Sequence, residues 1–341
     1  MPAEPSTVTE ESAGRRPPVL VVVTLLTGLL TVLLIAFAWP AARSEPRDLP
    51  LAVVAPPAAV AQIAGGLEQA VPGGFELKTE PDRAAAVKAI ENRDVYGAIV
   101  LDREKAEMLT ASAGGPAVAQ ILAQMPSRLA AQQPGVTATV TDIVPVPADD
   151  PRGAGLAAGA LPLVLGGILA AAALTQLVKP GAGRVIGALV FAVSGGLALT
   201  AVLQFWLGSV DGNYWLNASV IALSVAAIST TLLGLEWLLG RVGLALGAAT
   251  MLLLGNPLSG LTSAPEMLPS GWGDLGQLLP PGAAGTTLRS VAFFDGAGSA
   301  RPLLVLVCWL AAGLLLCGVG AMRGRGGRAV RARQEASAVT V

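Results

Sequence analysis

The chemistry open to this chain is narrowed first by what it lacks. Its 341 residues include no histidine. That removes His-activated serine or cysteine nucleophiles and every His-ligated metal site. The two cysteines, Cys308 and Cys317, share one apolar run. Their spacing along a helix is a rotation of ~900°, which puts them on opposite faces. They read as small hydrophobes, with no disulfide between them and no metal. Asp102, Glu104, Glu107, Asp149 and Asp150 could supply a carboxylate pair for glycoside hydrolysis. No spacing singles out two of them, and a solvated surface accounts for all five. No G-x-x-x-x-G-K-[ST] phosphate loop occurs, so the chain is not itself a P-loop ATPase. Gly153-Ala154-Gly155-Leu156-Ala157-Ala158-Gly159 opens an apolar run instead of joining a strand to a helix, so it is no dinucleotide loop. The expectation is a protein that is not an enzyme and carries no cofactor.

Two stretches invite a different kind of work. Glu236 is the one acid near or inside an apolar run, and a carboxylate at membrane depth is a candidate relay. It comes ~20 residues into its run, beside Trp237 and close to Arg241, which favours an interfacial position. Glu236 and Arg241 are the candidates for the cytoplasmic side of a pathway. The other stretch runs from Gly255-Asn256-Pro257 to Phe293-Phe294-Asp295. Pro257, Pro265, Pro269, Trp272 and Pro280 divide it into short pieces that would shape an outer gate. Asp274, Arg289 and Asp295 could make polar contacts there, and Leu288, Val291 and Phe294 could line one helical face. It reads as short helices dipping into or lying on the outer membrane surface. A lipid-facing cap and an outer gate both fit it.

The elements that must position these residues follow from composition. Hydrophobic residues make up 53% of the chain and charged ones only 13%, against about 25% charged in soluble domains. The predicted fold class is a polytopic α-helical membrane protein with six transmembrane helices, one plus five, and an extracytoplasmic α/β domain between the first and second. A span needs ~20 mostly apolar residues. The six segments are 19–39, 154–178, 185–207, 216–239, 242–261 and 302–322. The exterior re-entrant or interfacial segment is 262–301, within a five-helix domain over 154–322. Arg15 and Arg16 in the 1–18 tail, Lys179 with Arg184, Arg241 and the basic 323–341 tail all fall on one side. By the positive-inside rule both termini are cytoplasmic. The abundance of Ala, Gly, Pro and Arg suggests a GC-rich bacterium, and hence a bacterial plasma membrane.

Segment 19–39 also resembles a secretory signal, with Ala36-Phe37-Ala38 as a cleavage site. Its length favours an uncleaved anchor. The Arg325-Gly326-Gly327-Arg328 stretch abuts a span and reads as a juxtamembrane lipid anchor, not an RNA-binding module. Gly155/Gly159 and Gly243/Gly247 are small-residue pairs for helix packing.

The exterior domain, 43–153, alternates strand and helix patterns. Strands are expected at 51–55, 75–79, 96–101, 107–112 and 136–144. Helical spacing occupies the segment of Val60, Ile63 and Leu67, then 84–91 and 116–132. The formal net charge of −1 argues against a nucleic-acid partner.

One span, a large exterior domain and then five spans resembles the type-2 ABC exporter permeases, and within them the YhgE/Pip-like actinobacterial branch. Asp94-Val95-Tyr96-Gly97-Ala98-Ile99-Val100-Leu101 is similar to that family's x-Y-x-A-x-I-x-P strand, with Leu101 in place of the proline. The Asn256-Pro257 and Pro265, Pro269, Pro280 series is similar to its exterior re-entrant hairpin. The resemblance implies a permease subunit that dimerises, is served by a separate cytoplasmic ATPase, and moves amphipathic or lipid-like molecules outward. The link Lys179-Pro180-Gly181-Ala182-Gly183-Arg184 departs from that pattern, being short and helix-hostile where the family docks its ATPase. The alternative is a non-transporting cell-envelope scaffold, receptor or accessory protein that binds a partner through its exterior domain.

Overall fold

The computed structural model describes residues 19–102, 105–126 and 137–338. The 1–18 tail with Arg15 and Arg16, Glu104, the 127–136 stretch and 339–341 lie outside the described residues, as do the side chains beyond Arg323.

An apolar helix, α1 (Val19–Ala42), leads into an α/β domain. Its elements are β1 (Leu49–Val54), α2 (Pro57–Ala70), β2 (Phe75–Thr79), α3 (Arg83–Glu91), β3 (Gly97–Leu101), β4 (Lys105–Thr110), α4 (Pro116–Ala123) and β5 (Thr137–Asp142). The sheet order is β2-β1-β3-β4-β5. The β1–β2, β1–β3 and β4–β5 pairs are parallel, and β3 and β4 form an antiparallel hairpin. Successive side chains of a strand point to opposite faces, and both faces are covered at the central strands β1, β3 and β4, while the edge strand β5 is largely exposed. Leu49, Leu51 and Val53 pack with Ile63 of α2 and Leu122 of α4. Ala52 packs on the other face with Ala86 and Ile90 of α3. Helix α3 starts where the Asp82 carboxylate accepts the Ala85 N–H at 2.8 Å.

The remaining chain is helical: α5 (Ala154–Leu177), α6 (Ala182–Ala201), α7 (Tyr214–Leu239), α8 (Arg241–Ala249), α9 (Trp272–Gln277), α10 (Pro280–Phe293) and α11 (Ala300–Ala338). Helices α6 and α8 each run on through a π turn, Val202–Trp206 and Thr250–Gly255. The bundle closes around α7. In its most apolar window 78% of residues are buried, against 33% or less in the other long apolar helices and none in α1. Small residues permit the close approach. A Cβ on Gly313 of α11 would lie 2.5 Å from Thr230 Oγ1, and one on Gly196 of α6 would lie 2.6 Å from the Ala218 carbonyl oxygen.

Among the described residues five helices, not six, are long and apolar enough to cross a membrane: Val19–Ala42, Ala154–Leu177, Ala182–Trp206, Tyr214–Leu239 and Ala300–Arg323. The predicted fifth span, 242–261, is the correction. Its helix covers only Arg241–Gly255, a length of ~23 Å at ~1.5 Å per residue, where a bilayer core is ~30 Å. Hydropathy runs on past Gly255, but Asn256-Pro257-Leu258-Ser259-Gly260 turns the chain back into the protein. The buried helix α10 then packs beside α7 and α11.

Candidate functional site

The segment between α8 and α11 joins the α/β domain to the bundle. Prolines set its breaks: Pro265 opens a 3-10 turn (Pro265–Met267) and Pro280 opens α10, each at a first helical position where its missing N–H costs nothing. The 3-10 turn forms a short ladder with the chain leaving α1. Glu45 N–H donates to the Met267 carbonyl at 3.1 Å, and Arg47 N–H to that of Glu266 at 3.0 Å. Ala264 and Met267 complete the core on the α2/α4 face of the sheet. Phe294, at the end of α10, completes the core on the α3 face. The segment therefore grips the domain from both sides. At the same time α10 is buried along most of its length in the bundle.

Four side chains meet where the grip closes. Tyr96 donates its hydroxyl to Glu266 Oε2 at 2.6 Å. Burial, then the neighbouring Glu266 carboxylate, push the Tyr96 hydroxyl far up, so it stays protonated. Arg93 sits in the left-handed region at φ 63°. Its Nη1 donates to the Thr286 carbonyl at 3.1 Å and to Ser290 Oγ at 2.5 Å, and its guanidinium lies 5.3 Å from the centre of the Phe294 ring. Burial pulls its pKa down, opposed by Tyr96 and Glu266. Arg289 is 3% exposed, donates from Nη2 to the Leu261 carbonyl at 3.1 Å, and leaves Nε without a partner. Against this group opens a cavity of about 360 Å³, lined by Arg93, Tyr96, Glu266, Asp274, Gln277 and Arg301 among others.

The sequence-predicted gate residues all lie on this segment but do not ring one opening. Pro265 and Asp274 line the cavity. Pro257 sits in the turn that ends the α8 run, and Pro269 follows the 3-10 turn. Trp272 packs edge-on against Trp39 of α1, with centroids 5.5 Å apart. Pro280 and Arg289 are buried in α10. Asp295 is exposed at φ 48°, where the chain turns toward α11. Arg93, Tyr96, Glu266 and Arg301 escape sequence reasoning as site residues. No spacing signal links Tyr96 to a carboxylate 170 residues away.

At the end of the bundle away from the sheet, Glu236 takes a partner other than the adjacent Arg241. Arg184 Nη1 reaches Glu236 Oε2 at 3.2 Å, with the two side chains 6% and 16% exposed. Arg184 also donates from Nε to the Val178 carbonyl at 2.9 Å and from Nη2 to that of Thr175 at 2.7 Å. Gly240, at φ 66°, reverses the chain and carries Arg241 into the first turn of α8, where it is exposed. Among the described residues, no group of three or more His, Cys, Asp or Glu could hold a metal. No protein-family model and no curated protein matches this sequence.

Proposed function

We propose that the chain is a membrane permease subunit of a type-2 ABC exporter-like system, moving an amphipathic or lipid-like substrate outward. Any ATPase is carried on a separate chain, and two copies pair in the membrane. Both termini are cytoplasmic, and the α/β domain faces outward. The observation that supports this reading is the segment from Asn256 to Ser299. One part of it is built into both faces of the sheet, and another, α10, into the core of the bundle. A shift of the domain therefore moves a buried element next to α7, which is the coupling an outer gate requires. Arg184 turns inward to Glu236 while Lys179, Pro180, Ala182 and Gly183 stay exposed; the link is too short to form a docking helix, so docking uses other cytoplasmic surface as well.

A second reading is favoured by the cavity at the junction: a non-transporting receptor or scaffold whose domain receives a ligand or partner. Pull-down of the tagged chain from native membranes in mild detergent separates the two. A stoichiometric P-loop ATPase, with ATP-dependent outward movement of labelled lipid in reconstituted vesicles, is the result expected of a permease. A stable complex with an envelope protein and no ATPase would replace it with the scaffold reading.

A further inference from the structure

We propose that the cavity between the α/β domain and the 256–299 segment binds an oxyanion, a carboxylate or phosphate group, seated on Arg93 with Arg301 at its rim. The inference stands apart from the transport reading, since it concerns binding alone.

Size comes first. At about 360 Å³ the cavity falls within the range of ~300–1,000 Å³ typical of small-molecule sites. Charge comes next. Arg93 and Arg301 line the cavity against Glu266 and Asp274, two charges of each sign; Arg289 is not on the wall but lies buried close behind Arg93 and Glu266, so the surroundings carry one positive charge in excess. Tyr96 cannot make up the difference, because it is protonated and already donates to Glu266. Buried cations are ordinarily paired, since an uncompensated charge away from water is costly. Here Arg289 is 3% exposed, its one bonded acceptor is a neutral carbonyl, and its Nε has no partner. Arg93 spends Nη1 on Thr286 and Ser290, and no described residue accepts from its Nε or Nη2. Arg93 lines the cavity, and a planar fork with two donors unspent can hold a carboxylate or phosphate in a bidentate pair.

The backbone fixes where Arg93 leaves the domain: its positive φ closes the C-terminal end of α3, with the Arg93 N–H donating to the Ile90 carbonyl and the Asp94 N–H to that of Ala89, both at 2.9 Å. At the rim, Arg301 and Asp274 are exposed and form no ion pair among the described residues. Arg301 would draw an anion in and Asp274 would oppose it. A single patch therefore offers substitutions whose effects must have opposite sign.

The test uses the full chain purified in uncharged detergent, titrated calorimetrically with glycerol phosphate as the soluble probe. In parallel, native mass spectrometry reads retained lipid from nanodiscs prepared with and without phosphatidylglycerol. Arg301→Gln should weaken binding about threefold and Asp274→Asn strengthen it about threefold, as expected for single charges near water. Arg93→Gln should weaken it about tenfold, the loss of a charge-assisted bond. Because Arg93 also anchors the segment, the two rim variants carry the decision if that variant fails to fold. Saturable binding of glycerol phosphate with these signs supports the site and identifies a free solute. Binding seen only with phosphatidylglycerol, with the same signs, supports the site and identifies a lipid headgroup. Absence of binding to both probes, or affinities indifferent to Arg301→Gln and Asp274→Asn, overturns the proposal.

Discussion

The Arg184–Glu236 pair predicts a pattern that packing alone would not produce. Arg184 holds three acceptors: Glu236 Oε2 at 3.2 Å and the carbonyls of Val178 and Thr175 at 2.9 and 2.7 Å. At 3.2 Å and an effective dielectric of about 20 the gross attraction is ~5 kcal/mol, most of it offset by the cost of taking both ions out of water. The net value of the pair is therefore small, but the cost of orphaning one partner is large. Arg184→Met leaves Glu236 and two carbonyls without their donor, and should cost about 3–5 kcal/mol. Glu236→Gln keeps an acceptor for Nη1 and should cost ~2 kcal/mol, the smaller end of that effect. The double variant Arg184→Met with Glu236→Met should recover most of that loss, because no buried charge remains and only the two carbonyls still lack their donor. Thermal unfolding of the purified protein in a single detergent reads this directly. At ~2–4 °C per kcal/mol for a chain of a few hundred residues, Arg184→Met should fall by ~6–20 °C and the double variant by only a few degrees. A double variant as unstable as Arg184→Met would refute the reasoning, since the loss would then come from shape and not from an unpaired ion.

Three further outcomes are expected. Gly313→Leu puts a Cβ 2.5 Å from Thr230 Oγ1; it should separate α11 from α7 and lower stability by ~1–3 kcal/mol, read as reduced thermal stability and lower yield of folded protein. Asp82→Ala removes the carboxylate that accepts the Ala85 N–H at 2.8 Å and should cost ~1 kcal/mol, with Asp82→Asn retaining most of it in the same melt. The third concerns acid. The Arg83 hydrogen bond at 2.9 Å holds the Glu107 carboxyl below its ordinary value, helped by Thr141 and opposed by partial burial. A carboxylate depressed in the folded state adds stability above its unfolded pKa, about 4.3, and that stability is lost as pH falls through the folded value. Arg83→Gln should therefore narrow the gap in melting temperature between neutral and acidic pH. The change should be modest because Arg83 is half exposed; an unaltered pH profile would refute it.

The sequence by itself determined what local physics can determine. Hydropathy located the long apolar helices, because a run such as that of α7 has few other stable environments. Short strand patterns marked the sheet domain, although the first strand, expected at 51–55, runs Leu49–Val54, and its unbroken apolar run does not show that Leu49, Leu51 and Val53 share one face and Ala52 takes the other. The helical spacing over 84–91 falls within α3, Arg83–Glu91. Composition excluded histidine chemistry outright.

Tertiary structure decided the rest. Whether 242–261 spans or turns back depended on Asn256-Pro257 and on the burial of α10 beside α7, and hydropathy weighs neither. Glu236 sits five residues before Arg241, yet a positive-φ glycine between them and the packing of α6 on α7 gave it Arg184, 52 residues away. The junction of Arg93, Tyr96, Glu266 and Arg289 was invisible for the same reason. Each residue taken alone is an ordinary loop or helix position, and only the insertion of Met267 and Phe294 into opposite faces of one sheet brings their charges together. Local pattern reports the solvent each segment prefers; which distant charges must share a buried space is set by how the segments pack.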